Sequence, residues 1–314
     1  MSNTNTVNLF FACDDGYIPF LCATLLSIKR HRDESRDYSI KILNTGVSEA
    51  NKNRIFNSLA SDKFNIEFID ISSSVEKISD RLHTRDYYSK TTYYRLFIPE
   101  LYPSIDKALY LDCDVILTCD VAELYDTELK DNLVGAISDG FVSCVPRLHD
   151  YVTERVGVYR PDDYFNAGVL LMNLKEMREF AFGERFIELI SKITFDVAQD
   201  QDYLNVLCRG RRVRIGAEWN CMPGFSDKNT EPKLIHFNLD SKPWHKEGVE
   251  FADVFWKYAD DCAFSSEIRE IQKNYSEQER SAGETLNLID IAEMQGNDDE
   301  KNREIREMLA SIWM

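Results

Sequence analysis

The chain has 314 residues, of which 44% are hydrophobic and 12% aromatic, enough to bury one large domain with a sizeable core. Its 37 basic and 54 acidic residues give a formal charge of −17. Nucleic acids and anionic membranes would be repelled by such a surface, which argues against both as partners. An anionic ligand would need a local positive field, supplied by a metal ion or by a few placed cations.

The sequence carries no recognisable targeting signal. Residues Met1–Thr6 are polar and lack the basic and apolar regions of a signal peptide. No apolar run approaches the ~20 residues that a membrane span needs, so stable membrane insertion is not expected. None of the eight cysteines forms a CxxC pair, which makes a structural zinc site improbable. These features predict a cytoplasmic protein with reduced thiols.

The first third of the chain alternates between strand and helix patterns. Short apolar segments predict buried strands at Val7–Ala12, Tyr38–Leu43 and Asn65–Ile71. Apolar residues recur at helical spacing over Ile18–Ile28, and Ser48 is placed to cap a second helix. This order predicts a parallel sheet covered by helices on both faces.

Further elements follow the polar stretch Ser72–Lys90, which is either a mobile lid or a surface connection. The patterns predict strands at Lys107–Leu111, Val134–Ser138, Phe165–Met172 and Leu234–Phe237. They predict helices at Thr91–Leu101, Phe182–Ile193 and Gln201–Leu207.

The composition changes near the C-terminus, which predicts a main domain at residues 1–262 and a helical appendage at 263–314. In the appendage, Ile305, Met308, Leu309 and Ile312 share one helical face. One interpretation packs this stripe on the main domain, and the other makes it a docking or homodimer interface.

Several nucleotide-binding motifs are absent. No two of the 13 glycines lie two residues apart, so the chain has no G-x-G-x-x-G, and it has no P-loop. It also lacks the G-x-S-x-G elbow of serine hydrolases. Any nucleotide must therefore be held in another way.

Asp112 and Asp114 follow the apolar strand Lys107–Leu111. Side chains two apart in extended backbone point to the same side, with Cys113 turned away. Two adjacent carboxylates are tolerated best with a cation between them, and oxygen ligands suit Mg²⁺ or Mn²⁺. A D-x-D pair alone is also typical of a solvated strand end.

His236 and Lys242 strengthen the metal interpretation. An imidazole added to two carboxylates favours Mn²⁺ over Mg²⁺. Lys242 can bind phosphate as a point charge. A histidine at a strand end can equally be a hydrogen-bonded structural residue, but this acidic chain needs cations wherever it binds a diphosphate.

Other polar residues occupy positions that favour sugar binding. Asp200 and Gln201 open a predicted helix, where acids also simply complement the helix dipole. Asn166 interrupts a buried strand, where its amide needs a partner. Arg95 lies on a predicted helix, and the alternative to a role in sugar binding is a surface salt bridge. Asp139 ends a strand and could simply cap the segment after it.

An ordered series of motifs resembles the family 8 glycosyltransferases, which include bacterial lipopolysaccharide galactosyltransferases and glycogenin. The motifs span residues 7–246 and read FACDDGY, TTYYRL, ALYLDCDVIL, FNAGVLLMNL, QDQDYLN and HFNLDSKPWH. The resemblance implies a GT-A α/β fold, with a mixed, mostly parallel central sheet flanked by helices. It also implies a UDP-sugar donor, Mn²⁺ (or Mg²⁺) and transfer with retention of anomeric configuration.

The resemblance also assigns roles by motif position. It implies that Asp112, Asp114 and His236 bind the metal and that Lys242 contacts the diphosphate. The donor nucleotide and sugar would be surrounded by Ala12, Asp14, Tyr17, Arg95, Cys113, Asp139, Asn166, Asp200 and Gln201, with Gln201 next to the reacting carbon.

Two positions depart from the family pattern. Gly16 replaces a side chain that helps hold uracil in some members. Leu239 stands where the family usually has a glycine, and a Cβ there could crowd the phosphates.

Together, the residue patterns and the resemblance imply a retaining, Mn²⁺-dependent hexosyltransferase that uses a UDP-hexose, glucose or galactose, and a saccharide or glycoconjugate acceptor. Two alternatives are a non-catalytic UDP-sugar-binding protein, which Leu239 favours, and a sugar nucleotidyltransferase. The latter needs a glycine-rich basic N-terminal loop, which FACDDGYIPF does not provide.

Overall fold

The computed structural model describes residues 5–73, 90–275 and 283–313. Its strands are β1 Thr6–Ala12, β2 Asp37–Asn44, β3 Phe64–Asp70, β4 Lys107–Leu111, β5 Val115–Leu117, β6 Val134–Ser138, β7 Phe165–Asn173, β8 Arg212–Arg214 and β9 Leu234–His236. The predicted lid or connection lies mostly outside the described residues.

Eight α-helices of the described residues precede the C-terminal region. They are α1 Ile18–His31, α2 Glu49–Leu59, α3 Ile98–Leu101, α4 Ala122–Tyr125, α5 Gly140–Cys144, α6 Leu174–Glu179, α7 Phe182–Lys192 and α8 Asp200–Leu207. Four more follow in the C-terminal region: α9 Ala252–Ala259, α10 Ser265–Asn274, α11 Gly283–Gly296 and α12 Asp299–Trp313.

The described residues also include short helices of other types. The 3₁₀ helices are Asp15–Tyr17, Lys90–Phe97, Pro146–Leu148, Pro161–Asp163 and Ala217–Trp219. A π-helix spans Tyr151–Val156. The region predicted as one helix at 91–101 is therefore a 3₁₀ helix followed by α3, whose first turn contains Pro99.

Seven strands form one mixed sheet in the order β3-β2-β1-β4-β7-β6-β8. The β1–β2, β2–β3, β1–β4 and β6–β8 pairs are parallel, whereas β7 runs antiparallel to both neighbours, β4 and β6. The predicted α/β class, with a mostly parallel sheet, is confirmed. The carboxyl ends of β1, β4 and β6 consequently meet the amino end of β7 at one edge, where open α/β sheets bind ligands.

Alternate residues along the strands face two apolar cores. In β1, Leu9 and Phe11 contribute to one core and Phe10 to the other, and all three are fully buried. Helix α1 lies on the side of Leu9 and Phe11, and α7 and α8 lie on the side of Phe10. Burial on both faces explains why these strands read as continuous apolar runs.

A second, two-stranded sheet has a large effect on the site. Strand β5 pairs antiparallel with β9, which sets Val115 opposite His236. The Phe237 amide also donates to the Asp114 carbonyl at 3.0 Å. A histidine 122 residues further along the chain than Asp114 is thereby brought beside the two aspartates. The sequence patterns predict β9 but not β5, whose three residues are too short to show a period.

The C-terminal helices pack on the rest of the chain. Ile268 of α10 belongs to the core on the α1 side, and Ile305 and Leu309 of α12 belong to the other core. Both α12 residues are only 2% exposed. This favours the first interpretation of the apolar stripe, because Ile305 and Leu309 are covered by their own chain and are not available to a second copy. The side chain of Ile312 lies outside the described part.

No helix in the described part of the chain combines the length and the apolar character that crossing a bilayer requires.

Candidate functional site

Asp112, Asp114 and His236 come together at the carboxyl edge of the main sheet. Each offers one ligand atom, and these atoms lie within 4.8 Å of one another. The Nε2 atom of His236 is 3.3 Å from an Asp114 carboxylate oxygen and 3.7 Å from an Asp112 oxygen. The predicted convergence of these three side chains is therefore present in the structure.

The hydrogen bonding of His236 leaves Nε2 facing the carboxylates. Its Nδ1 atom lies 2.9 Å from the Asn220 side-chain oxygen, which is a hydrogen bond in the tautomer that carries its proton on Nδ1. Nε2 is then an acceptor, directed at two carboxylate acceptors. The Oδ1 atom of Asp114 is buried and makes no hydrogen bond within the described part of the chain. Such a set of acceptors fits a divalent cation, and an orienting partner on the second imidazole nitrogen is usual for a metal-bound histidine.

Gly168 provides the space for this cluster. A Cβ atom at this position would lie 2.4 Å from Cε1 of His236 and 2.6 Å from Oδ2 of Asp112, closer than real contacts allow. Its carbonyl accepts from the Asp112 amide at 2.8 Å, which ties β7 to the end of β4. The glycine in the FNAGV segment therefore lets the strand backbone approach both ligands.

Two cations accompany the carboxylates. Lys242 is buried and forms an ion pair with Asp114. Burial of Asp114 acts to raise its pKa, but the charged and hydrogen-bonding groups around it, Lys242 foremost, lower it below its ordinary value. Arg95 is also buried, with its guanidinium 3.3 Å from Asp112 and 3.0 Å from Asp200. Arg95 is thus part of the site, and the alternative of a surface salt bridge is wrong.

Gln201, Asp139 and Asn166 form a polar network next to the cluster. The Gln201 side-chain oxygen accepts from the Ala167 amide at 2.8 Å, while its nitrogen donates to Asp139 at 3.1 Å. Asn166 donates to the same Asp139 oxygen at 3.1 Å. The other Asp139 oxygen accepts from the Val142 amide and caps α5. Asp139 therefore caps a helix and also fixes the orientation of the Gln201 amide.

The acidic residues on either side of Gln201 have different environments. Asp200 lines the cavity, and burial raises its pKa to about 7 although Arg95 acts in the opposite direction. Asp202 is fully buried and accepts hydrogen bonds from the Tyr151 and Tyr164 hydroxyls at 2.8 and 2.7 Å. Burial raises its pKa to about 6, against the opposing effect of these hydrogen bonds. Asp202 holds the turn before Gln201 and is not among the residues that line the cavity.

All thirteen predicted site residues line one cavity of about 270 Å³. At one end, the Cys113 thiol donates to the Ala12 carbonyl at 3.1 Å, which joins the end of β1 to the D-x-D segment. The Asp14 carboxylate accepts from the Tyr17 amide and caps a 3₁₀ turn. The predicted site residues in this cavity are Ala12, Asp14, Tyr17, Arg95, Asp112, Cys113, Asp114, Asp139, Asn166, Asp200, Gln201, His236 and Lys242.

Three residues of the site were missed by the sequence patterns. Asn220 has no motif that marks it as the partner of His236. Gly168 lies inside the FNAGVLLMNL motif, but its role depends on the close approach of His236 and Asp112 to this strand. Tyr110 donates to Asp112 at 2.8 Å, and the alternation of β4 could have indicated this contact, because the two residues are two apart.

Leu239 lines the cavity with φ of +48°, in the left-handed region that favours glycine. For a residue with a Cβ this conformation costs roughly 1–2 kcal/mol. We expect Leu239→Gly to stabilise the protein by up to about 1 kcal/mol, because glycine relieves the strain but gains entropy in the unfolded chain. Thermal denaturation measures the gain. Leu239→Ala is the matched control, since it removes the side chain but keeps the strain; equal stability of the two variants would contradict the explanation.

The other departure from the family pattern, Gly16, has a different local environment. A Cβ at Gly16 would meet Asp14 Oδ1 at 3.4 Å, an ordinary contact. The backbone at Gly16 therefore tolerates a side chain, whereas the backbone at Leu239 is strained by one.

Comparison with known proteins identifies the family. The model for Glycosyl transferase family 8 matches residues 8–248. General stress protein A of Bacillus subtilis is 23% identical over 281 residues, which cover 82% of this chain and 94% of that protein.

Solved structures show the same fold. The galactosyltransferase LgtC, in complex with donor and acceptor sugar analogs, has a TM-score of 0.69 and 30% identity, covering 82% of this chain and 96% of LgtC. The bifunctional glycosyltransferase WbbM, in its apo form, has a TM-score of 0.73 and 29% identity, covering 87% of this chain and 53% of WbbM. The GT-A type of fold is confirmed by these neighbours. Because the family match runs through most of the chain, and through both the acidic cluster and the Gln201 network, this protein belongs to glycosyl transferase family 8.

Proposed function

We propose that this glycosyltransferase transfers a hexose, glucose or galactose, from a UDP-sugar to a saccharide or glycoconjugate acceptor, with Mn²⁺ and with retention. The observation that carries the proposal is the cluster of Asp112, Asp114 and His236, which opens into the same cavity as Lys242 and the Gln201 network. The cavity therefore offers a place for a diphosphate beside a place for a sugar.

The charge balance of the cavity supports the need for a metal. Its described lining includes five aspartates but only two cationic side chains, Arg95 and Lys242. A diphosphate would be repelled from such a cavity unless a divalent cation offset the carboxylates. Asp112, Asp114 and His236 would hold that cation, and two carboxylates with one imidazole suit Mn²⁺. When bound, the ion neutralises charge on the departing diphosphate.

The other residues would bind and orient the donor. Lys242, already buried at the cluster, supplies a positive charge to the diphosphate. Arg95 fixes Asp112 and Asp200, and the Asp139–Gln201–Asn166 network presents hydrogen-bonding groups to sugar hydroxyls. Pre-ordered polar groups of this kind avoid reorganisation during the reaction.

The contacts of the candidate nucleophiles favour front-face substitution as the route to retention. In it the acceptor hydroxyl attacks the anomeric carbon on the face from which UDP departs, and its proton passes to the departing UDP. Asp202 is enclosed by two tyrosines and the Ala198 amide, so its carboxylate is not placed to attack the sugar. Asp200 is paired with Arg95, and the amide of Gln201 is a poor nucleophile. A trapped glycosyl adduct on any of these three residues would contradict this mechanism.

Gln201→Ala is expected to lower kcat about 10²-fold, the size of effect that one positioned polar group has on a developing charge. The Kd for UDP with Mn²⁺ should change by less than about threefold, because the metal cluster is not altered. Gln272→Ala is the matched control, since Gln272 bonds the Pro243 carbonyl and does not line the cavity. A Gln201→Ala variant with full kcat, or one that loses UDP affinity in parallel with kcat, would contradict the assignment of Gln201 to the donor sugar.

The direct test is UDP release from UDP-glucose, UDP-galactose and other UDP-sugars, with Mn²⁺ or with a chelator. We expect turnover with at least one UDP-hexose, lost when the metal is removed. Binding of UDP-sugars without any turnover would favour the non-catalytic alternative, for which the strained Leu239 is the supporting observation. Formation of UTP from pyrophosphate and a UDP-sugar would favour the nucleotidyltransferase.

A further inference from the structure

One wall of the cavity is formed by apolar residues that have no role in the proposed binding of the donor. This apolar wall consists of Phe141, Val142, Leu148, Val152, Val197 and Leu288, which line the same cavity as the metal cluster. None of these side chains has a hydrogen-bonding atom. The rings of Tyr151 and Tyr164 also line the cavity, but both hydroxyls already donate to Asp202.

The apolar wall begins next to the predicted reaction centre. Val142 follows Asp139 by one turn of α5, and its amide donates to one oxygen of Asp139 at 2.9 Å. The other oxygen of Asp139 accepts from Gln201. A molecule that presents a hydroxyl beside Gln201 would therefore have the start of this wall within reach.

Leu288 is contributed by α11, in the region the sequence assigned to the appendage. This helix packs against Pro146–Leu148 and the π-helix Tyr151–Val156, and its Ile289 and Ala292 are buried in the core. At its end, Gly296 packs so closely that a Cβ would lie 2.6 Å from the Tyr151 amide nitrogen.

Polar contacts fix the position of the same helix. Arg147 pairs with Asp290 at 2.7 Å and donates from Nε to Glu293 at 2.7 Å. Gln295 donates at 2.9 Å to Asp196, the residue before Val197 of the wall. These contacts hold the part of α11 that directly follows Leu288, residues 289–296, and so fix the position of Leu288 in the cavity wall.

The chemistry of the wall restricts what can cover it. A sugar ring placed there would lose hydrogen bonds from its hydroxyls to water without replacement, at a cost for each group. An alkyl or aryl group would instead leave water at no such cost. We propose that the acceptor carries an apolar alkyl or aryl group beside its receiving hydroxyl, and that Leu288 contributes to its binding. This inference rests on the proposed transferase function.

The test compares methyl, octyl and phenyl β-D-glucopyranosides and β-D-galactopyranosides as acceptors, below their critical micelle concentrations. We expect kcat/KM for the octyl or the phenyl glycoside to exceed that of the methyl glycoside at least about tenfold, since two buried methylene groups have that effect. A preference for octyl indicates a lipid-like group, and a preference for phenyl indicates an aromatic one.

Leu288→Asn should reduce this preference several-fold, through KM. Leu288→Met should retain the preference, because it stays apolar and of similar volume. Met294→Asn, on the same helix at a position 66% exposed, is the matched control and should behave as wild type.

If none of the glycosides accepts sugar, their affinities are compared instead, by calorimetric titration of the same glycosides into the enzyme with UDP and Mn²⁺. Equal affinity of the enzyme for the methyl, octyl and phenyl glycosides would overturn this inference alone. So would a loss of affinity in Leu288→Asn that is the same for all three glycosides. Failure of the wild-type protein to bind UDP or hydrolyse any UDP-hexose would overturn the proposed function and this inference with it.

Discussion

Asp114→Asn is expected to abolish Mn²⁺-dependent UDP binding, with the Kd raised at least about 100-fold. The asparagine keeps the shape of the side chain but removes the charge that a divalent ion needs, and metal sites lose 10–100-fold even when only an outer partner is changed. The buried Oδ1 atom of Asp114, which makes no hydrogen bond among the described residues, marks this residue as the most sensitive of the three. Calorimetric titration of UDP with MnCl₂ or with chelator measures the effect.

The fold of the Asp114 variant should remain. Lys242 loses its charged partner, which should cost about 1–3 kcal/mol, and far-UV circular dichroism should match that of the wild type. Asp62→Asn, an exposed aspartate outside the cavity, is the matched control and should bind UDP normally. Wild-type titration curves for the Asp114 variant would rule out this residue as a metal ligand.

Gly168→Ala should also weaken metal binding although it changes no ligand. The added Cβ would lie 2.4 Å from the His236 ring, which is only 2% exposed and bonded to Asn220, so the ring has little room to move. We expect Mn²⁺ affinity to fall about 10–100-fold, and the free energy of unfolding to fall by about 1–3 kcal/mol from overpacking. Electron paramagnetic resonance of free Mn²⁺ and thermal denaturation measure the two changes.

Gly16→Ala is the matched control for Gly168→Ala. It adds the same methyl group near the cavity but meets only an ordinary contact at 3.4 Å, so Mn²⁺ affinity should be unchanged. If Gly168→Ala bound Mn²⁺ as the wild type does, the close approach of β7 to the ligands would not be a requirement of the site.

Much of the main sheet could be predicted from sequence because its strands are buried on both faces. Lys107–Leu111 and Val134–Ser138 match the predicted bounds, and the three N-terminal strands agree within one residue at either end. Asp112, Asp114 and Asp139 could be predicted because they follow strands that end at one edge of the sheet, whereas Arg95, Gln201 and Lys242 were assigned by their positions in motifs that resemble the family. Residues at such ends converge whatever the loops between them do.

The remaining features depend on contacts between distant segments. Pairing of β5 with β9 aligns His236 with the aspartates, yet neither three-residue strand carries a periodic signal that names its partner. Asn220 acts only because that pairing brings it to His236. The place of Leu288 in the cavity wall depends on how α11 packs across Tyr151–Val156, which the stripe of α12 does not reveal.

These predictions all depend on a divalent ion held by Asp112, Asp114 and His236. Crystals grown with MnCl₂ and UDP, measured at a wavelength where manganese scatters anomalously, test it most directly. We predict one strong anomalous peak within about 2.5 Å of a carboxylate oxygen of each aspartate and of Nε2 of His236, next to the diphosphate. An ordered UDP with no anomalous peak at these three side chains would contradict the claim.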